Sequence, residues 1–171
     1  MKKIILITGG QRSGKSMYAE QLALRLSPRP VYVATAHIWD EEFRQRVLRH
    51  QERRGPQWTN IEEEKFLSRH DLTGQVAVID CITLWLTNFF SENSDIPEVL
   101  ESVKKEFDQF TAKDATYIFV TNEIGSGGVS PNALQRRFTD LEGWMNQYVA
   151  SKADEVILMV SGIPVKIKDK G

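Results

Sequence analysis

The stretch GGQRSGKS, residues 9–16, constrains this chain more than any other part of it. Gly9, Gly14, Lys15 and Ser16 stand in the G-x-x-x-x-G-K-[ST] spacing of a phosphate-binding loop. An apolar run, IILIT (4–8), leads into it. An amphipathic stretch, Lys15–Leu26, leads out, with Tyr18, Leu22 and Leu26 at helical spacing. Strand, glycine turn and helix in that order aim the backbone N–H groups of Gly9, Gly10, Gln11, Arg12, Ser13 and Gly14 at phosphate oxygens. The positive end of the helix adds to the attraction. Lys15 reaches the β- and γ-phosphates, and the Ser16 hydroxyl is placed to ligate Mg²⁺.

The pattern continues down the chain. VYVAT (31–35), VAVID (76–80), TYIFVT (116–121) and VILMV (156–160) read as strands, and PVKIK (164–168) as a short edge strand. Residues 40–54, 97–110 and 132–150 read as helices, and SENSD (91–95) and GSGG (125–128) as loops. Apolar strands alternating with helices predict an α/β sandwich, a mostly parallel sheet covered on both faces. Ligands of such sheets bind beyond the carboxyl ends of the strands. That directs attention to the residues after Thr8, Thr35, Asp80 and Thr121. Asp80 closes its strand where a second Mg²⁺ anchor is expected, although DCITLWL could also start a helix with Asp80 as its cap. TNEIG (121–125) lacks the lysine of a guanine-reading motif, so base preference stays open.

With 171 residues, a single domain spanning 1–171 is expected. A net charge of −1 supplies no overall field for nucleic acid or an acidic membrane, so any basic site must be local. The lone cysteine, Cys81, excludes an intrachain disulfide and suits a reducing compartment. MKKIILITGG starts like a signal peptide, but its apolar run is too short, and no stretch reaches membrane-spanning length. A cytoplasmic, soluble protein is expected.

One local basic site stands out. RVLRHQERR, residues 46–54, holds four arginines around His50, one of three histidines. Phe43, Val47, His50 and Arg54 share a helical face, and Arg46, Arg49 and Arg53 form the adjacent stripe. His50 is therefore expected at the border of a core-facing and a basic surface. Nearby cations disfavour imidazolium and keep the ring nucleophilic, and the same cations suit a triphosphate. His37 is the rival, since it follows the second strand. His70 has only generic loop surroundings.

Taken together, TGGQRSGKS (8–16), VYVATA (31–36), RVLRHQERR…W (46–58), VIDCITLWLTN (78–88), TNEIGSG (121–127), RRFTDLEGWMNQYVA (136–150) and VSGIPVKIK (160–168) are an ordered set. In these segments the chain resembles, nearly end to end, the bifunctional adenosylcobinamide kinase / adenosylcobinamide-phosphate guanylyltransferase family of cobalamin biosynthesis. Pro56 and Pro131 stand later than the family's usual loop prolines.

The resemblance implies a P-loop, RecA-like fold with two activities. One phosphorylates adenosylcobinamide from ATP or GTP. The other transfers GMP from GTP to adenosylcobinamide phosphate through a GMP-histidine, releasing pyrophosphate. His50 occupies the place of that histidine, and Lys15 is the other residue implied in catalysis. Gly9–Ser16, Ala34, Thr35, Ala36, Gln51, Glu52, Arg53, Arg54, Glu62 and Leu84 fall where the family contacts GTP. Ser16 and Asp80 are the Mg²⁺ positions, and a homotrimer is implied. A simple P-loop kinase would explain Lys15, Ser16 and Asp80 but not His50. A nucleotide-gated binding module would make GSGGVSP (125–131) a switch loop.

Overall fold

The computed structural model describes residues 1–171. Seven strands form one sheet: β1 (Lys3–Gly9), β2 (Val31–Ala34), β3 (Thr59–Glu62), β4 (Val76–Asp80), β5 (Thr116–Asn122), β6 (Glu155–Val160) and β7 (Ile163–Asp169). Their order across the sheet is β3-β2-β4-β5-β1-β6-β7. All pairings are parallel except β6 with β7. The six parallel strands therefore end on one edge, which collects Gly9, Ala34, Glu62, Asp80, Asn122 and Val160.

Five helices connect them: α1 (Lys15–Leu26), α2 (Glu41–Arg54), α3 (Ile82–Phe90), α4 (Ile96–Phe110) and α5 (Ala133–Lys152). The central strands are apolar on both sides because both faces are covered. On one face Ile5, Ile7, Val78, Ile118 and Val120 pack against α1, whose small Ala19 and Ala23 let the helix lie close to the sheet. On the other, Ile4, Leu6, Ile79 and Phe119 pack under α3, α4 and α5, with Trp85, Phe107 and Met145 among the helical contributions. No helix is long and apolar enough to cross a membrane.

The expected strands and helices form, with ends moved by a residue or two. Asp40 and Asn132 prove to be N-caps, each side chain accepting from the backbone N–H three residues on. Two elements were not expected as such. β3 is a four-residue edge strand with little burial. α3 follows β4 directly, and its N-cap is Cys81, whose sulfur accepts from Leu84 N–H at 3.5 Å. Asp80 is thus not the cap.

The expectation for α2 needs correction. Its Phe43–Val47–His50–Arg54 face does not enter the core, and the helix has no buried residue. Phe43 and Val47 are half-buried, while Leu48 and the preceding Trp39 are exposed. Amphipathic spacing marks where apolar side chains lie, but here the rest of the chain covers them only in part.

One carboxyl side chain lies inside the core. Glu142 of α5 is 1% exposed. Its Oε1 accepts from Thr83 Oγ1 at 3.0 Å, while Oε2 has no partner. Burial pushes this carboxyl up to about 7. Below the ordinary glutamate range it is protonated whether folded or unfolded. As pH rises through that range to 7, the unfolded chain gives up the proton first, and stability falls. The full penalty is on the order of 3 kcal/mol. Urea titrations of the parent between pH 5 and pH 8 should show this loss, and Glu142→Gln should flatten it. An unchanged slope in the variant would contradict the assignment.

Candidate active site

The loop between β1 and α1 needs its first and last glycines. A Cβ on Gly9 would lie 2.7 Å from Ser13 Oγ and 2.8 Å from the Met159 carbonyl oxygen. Gly14 sits at φ 94°, in the left-handed region, and caps α1. The loop turns back on itself, and Lys15 Nζ donates to Gly10 O at 2.5 Å and Ser13 Oγ at 3.4 Å. Lys15 is 6% exposed, and this burial lowers its pKa.

Beside the loop, three elements meet on a single carboxylate oxygen. Asp80 Oδ2, at the end of β4, accepts from Ser16 Oγ of α1 at 2.8 Å and from Tyr32 Oη of β2 at 2.5 Å. The sheet explains the meeting. β2 pairs with β4 so that Ala34 lies opposite Asp80 and Tyr32 opposite Val78, on the α1 side. Ser16 and Asp80 present two hard oxygen donors and no third carboxylate or imidazole in contact. No group of three or more His, Cys, Asp or Glu side chains is placed so that it could hold a metal ion. That set fits Mg²⁺, which binds through one or two protein oxygens, retains waters and takes phosphate oxygens as its other ligands.

A cleft of about 240 Å³ opens over this pair, lined by Ser16, Glu20, Tyr32, Ala34, Ala36, Val47, His50, Arg53, Arg54, Asp80 and Leu84. The histidine of α2 and the metal-competent oxygens of the sheet edge thus share one space. Arg53 Nη2 reaches Glu20 Oε2 at 3.4 Å. The Arg54 guanidinium carbon stands 3.6 Å from the centre of the Tyr32 ring, and Nη2 donates to Asn60 Oδ1 at 2.7 Å. Arg54 Nε is buried without a partner, a cationic donor aimed at nothing the protein supplies.

The three histidines separate clearly. His37 Nδ1 lies 2.6 Å from Glu64 and His70 Nε2 lies 3.0 Å from Glu63. His50 has no carboxylate partner, and its pKa is lowered by desolvation first, then by Arg53 and Arg54. An imidazole held neutral beside two guanidiniums is equipped to attack phosphorus.

Not every residue expected near nucleotide lies in the cleft. Arg46 pairs with Glu42 at 3.1 Å along α2 and turns away. Gln51, Glu52 and Glu62 do not line the cleft, and Glu52 and Glu62 are exposed. The Thr35 side chain is fully buried and clamps the backbone of Cys81, donating to its carbonyl at 2.7 Å and accepting from its N–H at 2.9 Å. Tyr32 and Glu20 were missed from the sequence. Only strand pairing and the packing of α1 bring them to Asp80.

The strand order, the loop and its place on the sheet edge define a P-loop nucleotide-binding protein of the α/β class. Solved structures agree on the fold. The flagellar accessory protein FlaH of Methanocaldococcus jannaschii aligns over 98% of this chain and 78% of its own, with a TM-score of 0.52 at 16% identity. An ATPase of a bacterial type III secretion system aligns over 91% and 50%, with a TM-score of 0.54 at 12% identity.

Residues 5–167 match the family described as cobinamide kinase / cobinamide phosphate guanyltransferase, and the chain belongs to it. It is 38% identical to the bifunctional adenosylcobalamin biosynthesis protein CobU of Salmonella typhimurium, over 96% of this chain and 99% of that one. It is 36% identical to the protein CobP of the same description from Pseudomonas aeruginosa, over 95% and 96%. A kinase without nucleotidyl transfer does not describe this family.

Two substitutions test the cleft. Lys15→Ala should weaken GTP binding by about one to two decades in calorimetry, the usual cost of one charge-assisted contact. Asp80→Asn keeps an oxygen for Ser16 and Tyr32 but removes the charge. It should melt like the parent and lose Mg²⁺-dependent turnover; parental turnover at ordinary Mg²⁺ would remove Asp80 from the site.

Proposed function

We propose that this chain carries out both family reactions at the cleft beneath α2, with His50 as the carrier of GMP. The supporting observation is that His50, Arg53 and Arg54 line the same cleft as Ser16 and Asp80. In the first reaction the hydroxyl oxygen of adenosylcobinamide bonds to the γ-phosphorus of ATP or GTP. The bridging β–γ bond breaks, the nucleoside diphosphate leaves, and the hydroxyl proton passes to the medium. Lys15 and the loop N–H groups hold the charge that develops on the phosphates. Ser16 and Asp80 would hold Mg²⁺. When bound, that ion offsets phosphate charge and fixes the triphosphate for attack.

In the second reaction His50 attacks the α-phosphorus of GTP and pyrophosphate leaves. The attacking nitrogen gains the P–N bond while the other ring nitrogen keeps its proton. The phosphate oxygen of adenosylcobinamide phosphate then bonds to phosphorus, the P–N bond breaks, and imidazole departs neutral. Splitting the transfer into two displacements is the advantage of the covalent route. Arg53 and the unpartnered Nε of Arg54 are the donors nearest to hand for the phosphate oxygens.

The reading extends to a homotrimer in the cytoplasm. Exposed Val160, Ile163, Val165 and Ile167 on the last two strands support self-association. The nucleoside triphosphates consumed support the compartment. Sedimentation should give about three times the chain mass of 19.6 kDa.

GTP labelled in its α-phosphate should mark the protein through a bond labile to acid and stable to alkali. His50→Ala should abolish the mark, and His37→Ala should not. A label surviving in the His50 variant would overturn the assignment. The labelling rate should also hold below the ordinary histidine range, because the neutral ring is the reactive form and its pKa is lowered. Arg53→Ala should move the acid limb of that profile to higher pH.

A further inference from the structure

The donor side of the reaction occupies the α1 and α2 side of the sheet edge. The acceptor must reach the γ-phosphate from elsewhere, and the strand order limits the choice. β5 lies between β1, which carries the phosphate loop, and β4, which carries Asp80. The segment leaving β5 is therefore the one that borders both. It is tied there: Glu123 N–H donates to Gly9 O at 2.8 Å. Glu123 Oε1 accepts from the N–H groups of Gly125 and Ser126, at 2.6 and 2.9 Å, and so sets the start of the glycine-rich loop.

Beyond that turn, between the 125–130 loop and the first turns of α5, lies a cavity of about 510 Å³. Arg136 and Arg137 line it, and neither forms an ion pair with a carboxylate. Each is steadied instead by a backbone carbonyl: Arg136 Nη1 donates to Ser130 O at 2.8 Å and Arg137 Nη2 to Ser94 O at 2.5 Å. The remaining guanidinium donors stay available. Asp140 is the one carboxylate in the lining, and Val129 presents an apolar surface that is 84% exposed. Two oriented cations with spare donors beside an apolar side chain suit a large ligand rich in carbonyl oxygens and hydrocarbon edges. An amide-bearing corrinoid has that periphery.

We propose that this cavity is the acceptor subsite, where Arg136 and Arg137 donate to the amide carbonyls of adenosylcobinamide and Val129 packs on its hydrocarbon edge while the hydroxyl arm extends past Glu123 to the γ-phosphate. The proposal rests on the two-reaction reading above. It also gives the GSGGVSP segment a role in binding the acceptor.

The experiment is steady-state phosphorylation of adenosylcobinamide by the full chain, with product identified by mass. The double variant Arg136→Ala/Arg137→Ala should raise the KM for adenosylcobinamide about tenfold or more, with the KM for nucleotide and kcat at saturating acceptor near the parent's. Arg136→Lys/Arg137→Lys should recover much of the loss, because the charge and a donor return. Labelling of the double variant by α-labelled GTP, without acceptor, reports whether the fold and donor cleft are intact. Should that labelling fail, Val129→Glu, which changes only an exposed loop side chain, replaces it and should raise the same KM. An acceptor KM within twofold of the parent in a variant that labels normally overturns the subsite, as does a matching rise in the nucleotide KM. Absence of phosphorylated corrinoid with the parent chain would instead overturn the functional reading.

Discussion

The structure depends on one carboxylate oxygen. Asp80 Oδ2 accepts hydrogen bonds from Ser16 and Tyr32, and in doing so joins α1, β2 and β4 at the carboxyl edge of the sheet. A half-exposed aspartate would ordinarily prefer water. Here a serine from the phosphate loop helix and a half-buried phenol replace that water with directed donors. Burial first, and then Asp80 itself, raise the Tyr32 pKa well above the phenol range, so the phenol remains a donor. The loop and the acidic anchor are thereby set side by side before any nucleotide arrives, which lowers the cost of organising the site on binding.

Around that point the charges are sorted by role. His37 and His70 are matched with Glu64 and Glu63, and Arg46 with Glu42. Arg54 is matched only in part: its guanidinium lies over Tyr32 and reaches Asn60, while its Nε is left with no partner. A buried donor without an acceptor is costly in a folded chain. Its placement beside a histidine free of carboxylates makes sense once a phosphate oxygen is supplied from outside.

Much of this was legible in the sequence, and the exceptions share a cause. The phosphate loop, β4 with Asp80, and His50 among arginines are local patterns, and local patterns survive in a string of letters. α3 was obscured because ITLWLTNFF is only nine residues long and two-thirds apolar, as a buried strand would be, and because a cysteine is an uncommon cap. β3 was missed because four partly exposed residues carry no alternation to read. Tyr32 and Glu20 joined the site only through parallel pairing and helix packing, which are relations between distant segments. The face of α2 was misjudged for a related reason: periodicity reports an apolar stripe and is silent about what covers it.

That partly covered helix has a consequence of its own. α2 contributes no buried residue to either core, so the free energy that keeps it folded comes from its cap, its charge pairs and its few contacts along the cleft. Its amides belong among the early exchangers in heavy water, with protection well below that of β1 or β5. The element that bears His50 can therefore open and close as a local event while the sheet remains closed. Global unfolding curves, which follow the cores, would register little of that motion.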